Sequence, residues 1–140
     1  MTDFINIAQI KKVYFIGVGG IGMSAIARFF HARGVFVAGY DKTPTALTDQ
    51  LVKEGILVHF VDDPSFCTTD FDAIVYTPAI PSDNMILNHC RSHGMNLMKR
   101  SDMLQIISRD TFNICIAGTH GKTTISTMVA HILRHTEYGC

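Results

Sequence analysis

Charge is scarce in this sequence, and what there is cancels. Twelve Lys+Arg stand against twelve Asp+Glu for a formal net charge of +0, and charged residues make up 17% of the 140. Soluble domains usually carry roughly 25%. Without a basic excess, the chain has no electrostatic footprint for nucleic acid or an anionic membrane surface. So little charge also implies surface covered by something else, such as a second domain. Long apolar runs are missing too, and none approaches the length needed to span a bilayer. The opening MTDFINIAQIKK lacks a basic start followed by an apolar stretch. No signal peptide is therefore expected, and the expected location is cytoplasmic. Cys67, Cys90, Cys115 and Cys140 stand far apart in the sequence with no C-x-x-C pair. They read as reduced thiols, not as a disulfide frame or zinc site. No internal repeat or low-complexity segment interrupts the chain.

What is present is a rhythm of short apolar runs and helical patterns. The chain is organised around Lys11 to Phe30, KKVYFIGVGGIGMSAIARFF. Val13-Tyr14-Phe15-Ile16 reads as a buried parallel strand. Gly17 to Gly22 matches G-x-G-x-x-G, and Met23, Ile26, Ala27 and Phe30 then recur at helical spacing. Between strand and helix, such glycines permit a sharp turn and close approach of backbone to a ligand. The free N–H groups of the helix start then face an anion, most often a phosphate. Further strands are expected at 35–40, 56–60, 72–76 and 95–98. Helices are expected over Thr43 to Val52 and 84–93, and from a Ser101 cap through Ile107, with stops at Gly34, Gly55 and Gly94. Asp41, at the end of the second strand, is where dinucleotide folds hold a ribose hydroxyl. Thr77-Pro78-Ala79-Ile80-Pro81 contains two of the four prolines and reads as a shaped loop at a strand's carboxyl end. The fold class is α/β, a Rossmann-like doubly wound parallel sheet.

Near Arg109-Asp110 the pattern restarts. Phe112 to Ala117 is expected as the first strand of a second domain, followed by Gly118-Thr119-His120-Gly121-Lys122-Thr123-Thr124 and an apolar helix. Strand, Gly-Lys-Thr, helix is the setting of a P-loop. Backbone N–H groups of 118–122 would cradle ATP phosphates, Lys122 would reach the β- and γ-phosphates, and Thr123 would ligate Mg²⁺. Ile116 occupies the position of the pattern's first glycine, so the strict motif is not met. The expected division is 1–108 and 109–140. His89 and His93, like His131 and His135, lie four apart and mimic a metal face, but without a third ligand they read as solvated helix positions. His120 sits inside the phosphate loop, where a contact to ATP or Mg²⁺-bound water and a backbone-only role both remain open.

Val13 to Ser24, Gly39-Tyr40-Asp41, Thr77 to Ile80, Lys99 to Leu104 and Ala117 to Thr124 together resemble the Mur ligases of peptidoglycan synthesis. The resemblance runs from about residue 11 to the end. It implies an N-terminal UDP-binding domain and the opening of a central ATPase domain, inactive without the rest. It further implies that Gly19, Gly20, Ile21, Gly22, Met23 and Ser24 hold the diphosphate of UDP-N-acetylmuramate, with Asp41, Thr77, Pro78, Ala79 and Ile80 on the uridine side. The family's reaction uses ATP and Mg²⁺ to activate the muramyl carboxylate for attack by an amine, which the resemblance implies is that of L-alanine, and Lys122 would be the catalytic cation. Two departures stand out: the family's loop often reads Ser-Ser-Ala-Ile where this chain has Thr77-Pro78-Ala79-Ile80, and Asp62 stands where family members commonly have His. The rival reading is an NAD(P)-binding domain of an oxidoreductase or regulatory protein, which the second loop disfavours. For the apolar 112–117 edge, docking on the first domain or pairing with another copy of the chain is expected in preference to disorder.

Overall fold

The computed structural model describes residues 6–109 and 111–136, which fall in two compact units, Met1–Asp110 and Thr111–Cys140. The first unit is a five-stranded parallel sheet in the order β3-β2-β1-β4-β5. Its strands are β1 (Lys12–Ile16), β2 (Phe36–Tyr40), β3 (Leu57–His59), β4 (Ala73–Tyr76) and β5 (Leu97–Lys99). Its helices are α1 (Ile21–Ala32), α2 (Ala46–Lys53), α3 (Met85–Ser92) and α4 (Arg100–Arg109). Central β1 pairs with both neighbours, so Phe15 lies opposite Gly39 on one side and Val75 on the other.

Alternation along the strands divides the core in two. Val13, Phe15, Val37 and Val75 bury one face with Ile26 and Phe30 of α1, Leu51 of α2, and Met103 and Ile107 of α4. Tyr14, Ile16, Ala38, Tyr40 and Ile74 bury the other with Ile86, Leu87 and Cys90 of α3 and with Cys67. Helices thus cover both faces, as the alternating pattern implied. The sheet brings Cys67 and Cys90, 23 residues apart, to a sulfur–sulfur distance of 3.5 Å as free thiols. Their hydrogen bond, together with burial, pushes the Cys67 thiol well above its usual pKa. Cys115 is free and exposed, while Cys140 lies outside the described residues.

The helix ends show how local chemistry sets the boundaries. Thr45 and Thr48 form a capping box at the start of α2, so that helix begins later than Thr43. Asn84 caps α3 through Leu87 N–H. The Asp62 carboxylate accepts from Met85 and Ile86 N–H at 2.8 and 3.0 Å, leaving it a structural task at the position where the family commonly has His. Ser101 does not cap α4: the helix begins at Arg100, and Asp102 reaches back to Lys99 N–H at 3.2 Å. Ser101 lies inside the helix, where its hydroxyl donates to Asp102 Oδ1 at 3.2 Å.

In the second unit the expected strand at 112–117 is absent. Those residues carry no strand pairing, and Phe112 is 92% exposed. β propensity there is satisfied only by a ladder partner, and among the described residues of the unit the single regular element is α5 (Lys122–Arg134), no residue of which is buried. Among the described residues, no helix is long and apolar enough to cross a membrane.

Candidate functional site

The glycine loop is a tight, internally bonded turn at the carboxyl end of β1. Gly17 and Val18 N–H both donate to the Tyr40 carbonyl (2.7 and 3.0 Å), and Gly20 N–H donates to the Gly17 carbonyl at 3.2 Å. Gly17 has φ +88°, a conformation that side chains other than glycine's resist. Gly19 is needed for space. A methyl there would lie 2.7 Å from Asp41 Oδ2 and 2.9 Å from Thr48 Cγ2.

Asp41 is committed to the loop itself. Its Oδ2 accepts from Gly19 N–H at 2.7 Å and its Oδ1 from Thr43 N–H at 3.1 Å. The 77–80 segment closes the other side. Ile80 N–H donates to the Thr77 carbonyl, and the Ile80 methyl would sit 2.9 Å from a methyl on Gly17. Pro78 and Ala79 are exposed and Thr77 is half-buried.

Beyond the turn, α1 starts at Gly20 without a side-chain cap and without an acidic residue in its first turn. The first-turn N–H groups of Ile21, Gly22 and Met23 have no acceptor within the helix. Ile21 is 86% exposed beside them. The side chains of Met23 and Ser24 are buried, and the Ser24 hydroxyl donates back to the Ile21 carbonyl at 2.9 Å. From these two positions, therefore, only backbone faces outward. The arrangement has the aligned donors and the positive end of a 12-residue helix that an anion cradle requires.

Sequence reasoning singled out no role for Arg100, whose guanidinium lies over this cradle. A methyl on Gly22 would fall 3.0 Å from Arg100 Nη1 and 3.6 Å from its Cζ. A detectable signal existed: Arg100 directly follows β5, on the edge where parallel sheets gather ligand contacts.

The second loop sits wholly in the other unit. Gly121, with φ +79°, is the uncapped N-terminus of α5. Lys122 Nζ donates to the Gly118 carbonyl at 2.7 Å, and His120 Nδ1 is 3.1 Å from Thr119 Oγ1. Thr123 and Thr124 are exposed at the helix start. Left-handed glycine, open N–H groups and an adjacent ammonium fit a triphosphate. A Mg²⁺ ion would find the Thr123 hydroxyl there and take its remaining oxygens from phosphate and water, since no group of three His, Cys, Asp or Glu gathers among the described residues. In the histidine pairs, His93 Nδ1 is 2.9 Å from the His89 carbonyl and His135 Nδ1 is 2.8 Å from that of His131.

The Mur ligase family, catalytic domain, matches residues 12–111. The UDP-N-acetylmuramate–L-alanine ligase of Porphyromonas gingivalis is 54% identical over 136 residues, covering 93% of this chain and 30% of that protein. The ligase of the same name from Parabacteroides distasonis is 45% identical over 141 residues, covering 97% and 30%. Among solved structures, the UDP-N-acetylmuramate-alanine ligase of Thermotoga maritima superposes with a TM-score of 0.79 at 33% identity, over 89% of this chain and 29% of that one. A murein peptide ligase of Psychrobacter arcticus gives 0.77 at 25% identity, over 89% and 26%. The chain thus spans about 30% of the length of the curated relatives it matches.

Proposed function

The chain belongs to the Mur ligase family, and on that premise we propose that it supplies the UDP-substrate-binding and P-loop portions of a cytoplasmic, ATP-dependent ligase joining L-alanine to UDP-N-acetylmuramate. The observation that carries this reading is the pairing, in one chain, of an uncapped glycine-loop cradle at α1 with the Gly118–Thr124 loop opening α5. An NAD-binding module accounts for the first loop alone. It leaves the Gly118–Thr124 loop at the start of α5 without a task.

In the proposed reaction the γ-phosphoryl of ATP passes to the muramyl carboxylate, and the amine of L-alanine attacks the acyl phosphate and displaces inorganic phosphate. Mg²⁺ accompanying ATP would neutralise charge on the transferring group, with Thr123 as its protein ligand. Lys122 supplies the second positive charge. Gly19 to Ser24 hold the diphosphate through backbone, Asp41 keeps that backbone in place, and Thr77 to Ile80 line the uridine side.

The 140 residues alone are expected to show no turnover, because α5 has no buried face to hold the second loop against a substrate. Thermal shifts with UDP-N-acetylmuramate and with NADH test the binding assignment. The UDP-sugar should raise the midpoint and NADH should not; a larger rise with NADH discards the assignment. In the full ligase, Lys122→Ala should lower kcat by about 10³-fold or more and leave binding of the UDP-sugar unchanged. Loss of both would mean the two sites are misassigned.

A further inference from the structure

We infer that Arg100 is a ligand-binding residue that clamps the diphosphate of the UDP-sugar onto the first turn of α1. The inference rests on the proposed UDP-substrate reading and assigns a residue to it.

Three observations lead there. The guanidinium lies against Gly22, the second residue of α1, close enough that a methyl on that glycine would sit 3.0 Å from Nη1. Arg100 is exposed, and among the described residues its side chain makes no hydrogen bond or ion pair. It also opens α4, so the cation stands at the positive ends of two helices at once. Both dipoles disfavour a cation there.

The carboxylates nearby do not relieve this. Asp41 is held by Gly19 and Thr43 N–H, and Asp102 by Lys99 N–H and the Ser101 hydroxyl. No acidic residue lies in the first turn of α1. A bound anion between Gly22 and Arg100 turns the same arrangement favourable, with helix donors on one side and a planar pair of N–H donors on the other. A diphosphate has the charge and the spread of oxygens to use both. Glycine at 22 leaves the guanidinium room to approach.

Calorimetric titration of the 140-residue chain tests this, using uridine, UDP, UDP-N-acetylglucosamine and UDP-N-acetylmuramate. Arg100→Gln should weaken all three diphosphates about 10- to 100-fold, leave uridine unchanged and not lower the ligand-free melting midpoint. Arg100→Lys should recover part of the loss, since the charge returns without the bidentate fork. Undiminished UDP binding by Arg100→Gln overturns the inference and leaves the UDP reading standing. A loss confined to UDP-N-acetylmuramate overturns it too, by placing Arg100 on the sugar's carboxylate. Equal weakening of uridine with a lowered midpoint would reduce Arg100 to a structural role. If the unchanged chain binds none of the four, the UDP reading falls and this inference falls with it.

Discussion

Two glycines of the first unit have opposite jobs, and substitution separates them. Gly20, the N-cap of α1, has φ −68°, and a methyl there would meet nothing closer than the Gly17 carbonyl at 3.5 Å. The fold therefore accepts a side chain at 20, but a branched one would project where ligand must approach. Gly39 is the reverse case. It is the fourth of the five residues of β2, and a methyl would fall 2.8 Å from both the Phe15 carbonyl oxygen and Val18 Cβ. Neither neighbour can yield, because one is sheet backbone and the other is fully buried. Gly39→Ala should thus lower unfolding free energy by about 1–3 kcal/mol in urea melts. Gly20→Val should keep a cooperative melt and lose UDP-sugar binding. Normal binding by Gly20→Val would place the diphosphate elsewhere. Both glycines are plain in the sequence, but which has room for a side chain and which is required by packing depends on neighbours 3 to 24 positions away.

At the scale of elements, the end of β3 carries a titratable group with a fixed tautomer. His59 Nδ1–H donates to the Val61 carbonyl at 3.0 Å, which leaves Nε2 to accept the Tyr14 hydroxyl at 2.5 Å. The ring stacks on Phe66 at 4.1 Å between centroids. Burial lowers the His59 pKa below its ordinary value, partly offset by the Val61 carbonyl and by Asp63 and Asp62. Burial likewise raises that of Tyr14. As pH falls through about 6.5, the unfolded chain takes up a proton that folded His59 resists. The stability present above that pH is then progressively lost. Melting midpoints from pH 8 to pH 5 should fall more steeply for the unchanged chain than for His59→Gln; parallel curves would remove His59 from the account. The strands themselves were legible, because runs such as Val13 to Ile16 and Ala73 to Tyr76 are apolar at both faces and bounded by turn residues. The cap at α3 was half legible: Asn84 precedes its helix directly, whereas Asp62 arrives from 23 residues away.

For the molecule as a whole, the division into two units has a thermodynamic consequence. Every residue of both core clusters lies at or before Ile107. In the second unit Phe112, Ile114, Ile125, Met128 and Ile132 are all at least 48% exposed. Amide exchange should therefore be slow in β1 and β4 and fast over 112–117. Protection at 112–117 that grows with protein concentration would instead support pairing of that segment between chains. Its apolar, β-branched character suggested a strand, but a strand is a property of two segments, and among the described residues of this unit no second one pairs with it.

The sequence by itself determined the periodicities, the turn glycines and the two phosphate-type loops, because each is written within a few consecutive residues. It therefore determined the α/β class and the resemblance that pointed to the family. Tertiary structure alone decided what those local features meet: Asp41 on Gly19, Ile80 against Gly17, Cys67 beside Cys90, and Arg100 over Gly22. Those contacts join residues 22 to 78 positions apart, and their distances follow from strand order and register, which no local pattern encodes. A parallel sheet gathers the carboxyl ends of separate strands along one edge, so much of the site exists only once the sheet has formed.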